Sequence, residues 1–391
     1  MDKKFSIDIE TFSELNGNKA QAFFTYLKNV SKNKTGLVLK GVKKEKHWDC
    51  NVFECATPTS RFSGIKLPAP LDPNSEGTSL LVSISPKLLQ FMQEAGTNFI
   101  FGENKVTIRK GTLKLQESYE SSQSEIESNL EQFEKTCNQE ETPISSFRLE
   151  KTSELLKYLE NTSNLDATFF IEDGKITYRE NSFIFRTPIT EEIQGENNIF
   201  INVYIATKIK NILTYCDTVD VEFTDTHTIL KGKIEGNEIV RNVSSIFEAT
   251  DDNPSDEDLQ SILPTEETGA ESVVLDSAEF FQVIGEYLRS VQNFMDIKKP
   301  MLHLYKNGDG LSIKLNADAG EDRFASFNIG AVAEEEPDPE KFSTWNTELP
   351  INTLKNIIDG GVSITFEFDN SEDTVVLIKS GEKTCLSGKA F

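Results

Sequence analysis

Apolar residues along this chain recur at two spacings, every second residue and every third or fourth, and the two alternate in a constant order. The clearest instance runs from Leu80 to Gln116. Leu80-Leu81-Val82-Ser83-Ile84 alternates as a strand, and Ser85-Pro86 supplies a hydroxyl N-cap with proline at the first helical position. Leu88, Leu89, Phe91 and Met92 mark one face of a short helix that stops at Gly96. Strands are predicted over Asn98 to Phe101, Lys105 to Ile108 and Thr112 to Leu115. The unit is a strand, a helix and a small antiparallel set of strands.

Five further helices carry the same stripe. They are marked by Phe23, Phe24, Leu27 and Val30 (about Asn18 to Lys32); Leu155, Leu156, Tyr158 and Leu159; and Ile205, Ile209, Ile212 and Leu213. Phe280, Phe281, Ile284 and Leu288 follow, behind an Asp276/Glu279 capping box, and then Ile351, Leu354, Ile357 and Ile358. Six copies of one strand–helix–strands plan, two to a segment, divide an α+β chain into segments 1–122, 144–265 and 271–391. In the first segment Phe5 to Ile9, Leu37 to Val42 and Trp48 to Ala56 are expected strands. Pro58, Pro68, Pro70, Pro73 and Gly77 mark a connection. Glu117 to Glu141 is rich in Ser, Glu and Gln. Ile126, Leu130 and Phe133 there suit a turn or two of helix, but the stretch is expected to be an acidic surface connection, as is Asp251 to Asp258.

Composition narrows the functions open to such a chain. With 40 Lys+Arg against 64 Asp+Glu, the formal charge is -24, which argues against generic attraction to nucleic acid unless basic residues are gathered locally. No apolar run is long enough to span a bilayer, and no signal-peptide core follows Met1-Asp2-Lys3-Lys4, so a cytosolic protein is expected. The five cysteines are odd in number and widely spread, unlike a disulfide framework. His47, Cys50 and Cys55 are only three candidate zinc ligands and lie on a predicted strand. A calcium loop beginning at Asp251 would have Asp256 where glycine is needed and Ile262 where a bidentate glutamate is needed. No metal or cofactor is expected.

Nor is there a phosphate-binding Gly-rich loop with a following Lys-Ser/Thr, a GxSxG or an HExxH, and His47, His227 and His303 are far apart in the chain. No catalytic residue is assigned. The informative positions lie opposite the apolar stripes of the helices. The first helix places Gln21, Thr25, Lys28, Asn29 and Lys32 there, and the second Lys87, Gln90 and Gln93. The third has Lys157 and Asn161, the fourth Thr207, Lys210, Asn211 and Thr214 with Lys208 at its flank. The fifth has Gln282, Arg289 and Asn293, and the sixth Asn352 and Asn356 with Lys355 near the boundary. Every helix carries a cation, mostly among amides and hydroxyls, with Glu94 on the second, Glu154 and Glu160 beside the third, Glu286 on the fifth and Asp359 on the sixth as acidic exceptions. Such faces suit loose phosphate contact without base readout.

With these features in place, the chain resembles the bacterial beta sliding clamp, the processivity factor of a DNA polymerase. The resemblance rests on the three similar segments. Local support comes from Glu103-Asn104-Lys105-Val106-Thr107-Ile108 with Gly111, from Ile262-Leu263-Pro264 before Val273-Val274-Leu275-Asp276, and from the ending Thr384 to Phe391. It implies three clamp domains per chain, sheets outside and helices inside, closed head-to-tail into a homodimeric ring around duplex DNA. It also implies an ATP-driven clamp loader and no chemistry of its own. Partner peptides would enter an apolar pocket, for which Leu263, Pro264, Leu386 and Phe391 are the candidates by position. The tail Leu386-Ser387-Gly388-Lys389-Ala390-Phe391 lacks the family's usual Met and Pro ending, which fits a divergent clamp of cellular or viral origin. The rival expectation is an acidic DNA mimic that inhibits a nucleic-acid-binding partner; its carboxylates would line one continuous surface.

Overall fold

A computed structural model of the chain describes all residues except 1–2, 33–35, 55–58, 69–78, 103–104, 119–122, 139, 160–166, 181–182, 197–198, 247–269, 286–300, 317–323, 334–342, 347–357, 359–360, 369–375 and 388–391. Among the described residues the helices are α1 (Ile9–Asn16), α2 (Asn18–Lys32), α3 (Pro86–Gln90), α4 (Gln123–Cys137), α5 (Glu154–Leu159), α6 (Val203–Leu213) and α7 (277–285). The strand pairings among the described residues are all antiparallel, within four sheets, and the chain is α+β as expected.

The chain divides into two compact units, the first comprising Met1–Ser153, Glu191–Glu196 and Lys208–Phe247. It holds a four-stranded sheet in the order Lys3–Ile7, Thr97–Phe101, Lys105–Lys110, Leu113–Ser118. Its nine-stranded sheet runs Gln194–Gly195, Ser145–Glu150, Thr218–Phe223, His227–Ile234, Asn237–Ser245, Thr59–Pro68, His47–Glu54, Leu37–Lys43, Ser79–Ile84. The core is aromatic where α1 and α2 meet this sheet: the Phe12 ring lies 5.1 Å from Phe24, and the Phe62 ring lies 5.2 Å from both Phe23 and Tyr26.

Three expectations for this unit need correction. The first strand stops at Ile7, and Ile9 opens α1, because the Asp8 carboxylate caps the Thr11 amide at 2.9 Å; Gly17, at φ 53, ends the helix. The expected connection after Pro58 contains the ten-residue strand Thr59–Pro68. Its buried side chains change parity at Gly64, from Ser60 and Phe62 to Ile65 and Leu67, where the register with His47–Glu54 shifts and Gly64 sits at φ 72. A broken period of two is not visible as a strand. Most of the expected acidic connection is α4, whose Ile126, Leu130 and Cys137 are buried against Val38 and Phe53.

The second unit comprises Glu154–Thr190, Asn197–Thr207 and Glu248–Phe391. Its eight-stranded sheet runs Ile199–Asn202, Thr168–Glu172, Lys175–Glu180, Phe183–Pro188, Lys383–Ser387, Val376–Ser380, Ser363–Phe368, Glu271–Asp276. A four-stranded sheet runs Phe324–Ile329, Gly310–Asn316, Met301–Asn307, Ser343–Asn346. Glu172-Asp173-Gly174 between the apolar runs Ala167 to Ile171 and Lys175 to Tyr178 predicts a hairpin turn, and Asp173 at φ 49 and Gly174 at φ 70 form it between Thr168–Glu172 and Lys175–Glu180. At the start of α7 the Asp276 carboxylate accepts from the Glu279 amide at 3.0 Å. Glu279 itself turns to the Gly330 amide, 3.4 Å away, so the box is closed from one side. Phe280, Phe281 and Ile284 are buried as the stripe requires. The remainder of the fifth predicted helix and the sixth, apart from buried Ile358, lie outside the described residues.

Candidate nucleic-acid interface

Of the helices singled out by their polar faces, α2, α3 and the part of α6 from Lys208 onward pack side by side in the first unit. Gln90 of α3 donates to the Ser31 hydroxyl of α2 at 2.9 Å and to the Leu27 carbonyl at 3.5 Å. On the other side of α2, the Asn29 amide reaches Thr214, just past α6, at 3.4 Å, and the Tyr26 and Tyr215 rings meet edge-on at 6.2 Å. A cavity of about 40 Å³ remains under this junction, lined by Tyr26, Asn29, Glu54, Ser60, Lys208 and Asn242 among others. Glu54 is 4% exposed and Asn242 2%, so the floor is polar yet buried.

The apolar stripes are buried here as amphipathic periodicity requires: Phe23, Phe24, Leu27 and Val30 on α2, Leu89 on α3, and Ile209, Ile212 and Leu213 on α6. Lys28, Lys32, Lys87 and Lys210 are exposed, and Lys208 is half-buried. The four exposed lysines form no ion pair among the described residues. Several cations on the strands are instead matched: Lys40 with Glu134 at 2.8 Å, Lys231 with Glu222 at 2.6 Å, Arg148 with Asp220 at 2.6 Å and Lys379 with Glu367 at 2.9 Å. In a chain with 64 acidic residues, α2, α3 and α6 contain none. Their shared face is therefore locally cationic although the protein is strongly acidic, and such a face attracts phosphate through a short-range field that salt screens.

The same sheet separates this face from acidic surface. Successive side chains on a strand point to opposite faces. Phe62 lies under Phe23 and Tyr26 of α2, whereas its neighbour Arg61 reaches Asn138, just past α4, and Glu238 of the strand Asn237–Ser245. So α2 and α4 cover opposite faces, and α4 brings Glu125, Glu127, Glu131 and Glu134 to the second. Asp220 belongs to a strand-borne charge cluster. Burial pushes its carboxyl up, but hydrogen bonds and charges from Arg148 and Lys233 outweigh burial and hold it below the usual carboxylate range.

The other predicted site residues are more scattered. Lys157 is exposed on α5 in the second unit, and Arg289 and Lys355 lie outside the described residues. Of the peptide-pocket candidates, Leu263, Pro264 and Phe391 lie outside the described residues, while Leu386 is 3% exposed in Lys383–Ser387, paired with Ile184 and Leu377. His47 and buried Cys50 are three apart on one strand and point to opposite faces, so they do not converge on an ion; Cys55 lies outside the described residues. The buried Glu54 and the α4 contacts leave no periodic trace in the sequence.

No family model matches the sequence, and no curated protein matches it. Solved structures do match, over nearly full length. A chain from Eubacterium rectale assigned as a DNA polymerase III beta subunit is 13% identical with a TM-score of 0.65, the match covering 99% of this chain and 98% of that one. DNA polymerase III subunit beta from Borrelia burgdorferi, solved with a natural product, is 14% identical with a TM-score of 0.62 and the same coverage. The Helicobacter pylori beta clamp bound to a DNA ligase peptide is 11% identical with a TM-score of 0.61, covering 98% of each chain. The chain has the fold of these beta subunits along its whole length.

Proposed function

We propose that this protein is a DNA sliding clamp, a ring that encircles duplex DNA and tethers a replicative DNA polymerase. One observation carries the proposal: in a chain of charge -24, three adjacent helices free of acidic residues present Lys28, Lys32, Lys87 and Lys210 on one face. Lysines with Asn, Gln and Thr hold phosphates without reading bases, and a handful of weak contacts permits sliding. The clamp fold supports the same function.

In this proposal the chain comprises clamp domains 1–122, 144–265 and 271–391, and Lys157, Lys208, Arg289 and Lys355 also face DNA. Two copies close head-to-tail into a homodimeric ring, opened by a clamp loader, that performs no chemistry. Leu113–Ser118, at the end of its sheet with a largely exposed surface, is an edge available for pairing with a second copy. Leu263, Pro264, Leu386 and Phe391 are proposed to receive partner peptides, in keeping with the ligase peptide on the Helicobacter pylori clamp. A DNA mimic is less well supported, because its acidic surface would not leave α2, α3 and α6 without a carboxylate.

The test is retention on nicked circular DNA against the same DNA linearised, after loading by a cognate loader. Retention on the circle with loss from linear ends is expected. Equal retention on both would refute the topological mechanism, and no retention on either, with an active loader, would favour the mimic.

A further inference from the structure

Among the described residues, the sheet of the first unit is joined across its middle by four residue pairs: Thr59 with Val243, Ser60 with Asn242, Arg61 with Arg241, and Phe62 with Val240. One of these sets two arginines directly opposite each other, where like charges repel. Val38 pairs with Phe53, Phe53 with Arg61, and Arg61 with Arg241, so these four form one row across four strands on a single face. Helix α4 lies along that row. Its 15 residues span roughly 22 Å, against about 14 Å across four strands.

Along its length, Ile126, Leu130 and Cys137 of α4 cluster with Val38 and Phe53, and Lys40 pairs with Glu134 at 2.8 Å. The C-terminal end of α4 meets both arginines. Arg61 donates to the Asn138 side-chain oxygen and to Glu238 at 3.2 Å. Arg241 binds Glu238 through two nitrogens, at 2.9 and 3.1 Å, and donates to the Cys137 carbonyl at 3.3 Å. That carbonyl is among the four that a helix end leaves without an internal partner, and it carries the negative end of the helix dipole. The contact serves both sides: Glu238 of the sheet sits between the two arginines, the end of α4 adds two neutral acceptors for them, and α4, which buries few apolar residues, gains donors at its end.

We propose that α4 is a clasp that holds this join closed. On the opposite face the same join, through Ser60 and Asn242, floors the cavity between α2 and α6. By fixing the join, the clasp keeps those two helices at their observed separation. This inference stands independently of DNA binding.

The test uses the full-length protein and the variant Leu130→Asp, with peptide-resolved hydrogen exchange and thiol labelling. Cys137 is fully buried, and burial pushes its thiol up to about 11, so native labelling is slow. In the variant, Cys137 labelling and amide exchange at 60–62 and 240–243 are each expected to rise about tenfold or more, with Thr218–Phe223 unchanged. Adding Arg61→Gln and Arg241→Gln to Leu130→Asp should slow exchange at the join again, because the repulsion is gone. Faster Cys137 labelling with unchanged exchange at the join would make α4 a passive cover and overturn the proposal. Uniform acceleration across the sheet would also overturn it. Should Leu130→Asp not accumulate, Glu134→Lys, which sets like charges against Lys40, is expected to give the same local pattern at smaller amplitude, and no local change there would count against the clasp.

Discussion

Replacing Lys28, Lys32, Lys87 and Lys210 together by alanine removes four exposed cations of α2, α3 and α6 that form no ion pair among the described residues. None of them is buried, so the fold should tolerate the change at about 0.5 kcal/mol or less per site. The electrostatic consequence is larger. Each phosphate contact contributes a slope of about -0.9 to the dependence of log affinity on log salt, so a fourfold rise in salt weakens binding roughly 3.5-fold per contact. If all four lysines touch phosphate, they account for a slope of about -3.6, or roughly 150-fold between 50 and 200 mM salt. The assay is equilibrium anisotropy of a labelled duplex across that range, for the parent and the quadruple variant. The variant should lose most of its salt dependence as well as its affinity. A control replacing Lys231 and Lys379, which are already neutralised by Glu222 and Glu367, should leave the slope unchanged. An unaltered slope in the quadruple variant, or an equal loss in the control, would refute the assignment of this face.

Two further expectations concern stability. Asn16 is buried, donates to the Phe12 and Lys66 carbonyls at 2.8 and 2.9 Å, and accepts from the Lys66 amide at 2.7 Å, so Asn16→Ala should cost about 2–3 kcal/mol in urea denaturation by stranding those groups. Because Asp220 is held below its unfolded value, its stabilising contribution is fully present above the ordinary carboxylate pKa and is lost as pH falls through the lowered folded value. The urea midpoint of Arg148→Gln should accordingly fall less steeply on acidification than that of the parent; an equally steep fall would assign the acid sensitivity to other groups.

Periodicity alone located most of the described elements. The stripe of α2, the Ser85-Pro86 start of α3 and the turn at Asp173-Gly174 were legible because each depends on neighbours three or four residues away, or on one backbone angle. The polar faces were legible for the same reason, since a buried stripe determines which residues point away from it. Tertiary structure decided what depends on distant partners. Thr59–Pro68 is a strand because two neighbouring strands supply its hydrogen bonds across a bulge that breaks its own alternation. Helix α4 has a weak stripe and many glutamates. It packs as a helix where Val38 and Phe53 offer an apolar seat and Arg61 and Arg241 cap its end, although both arginines are far from it in sequence. The adjacency of α2, α3 and α6 likewise came only from folding, as the sheet carries residues 208–213 alongside residues 18–32. Local chemistry determined which faces are cationic, and long-range strand pairing determined that three of them form one surface.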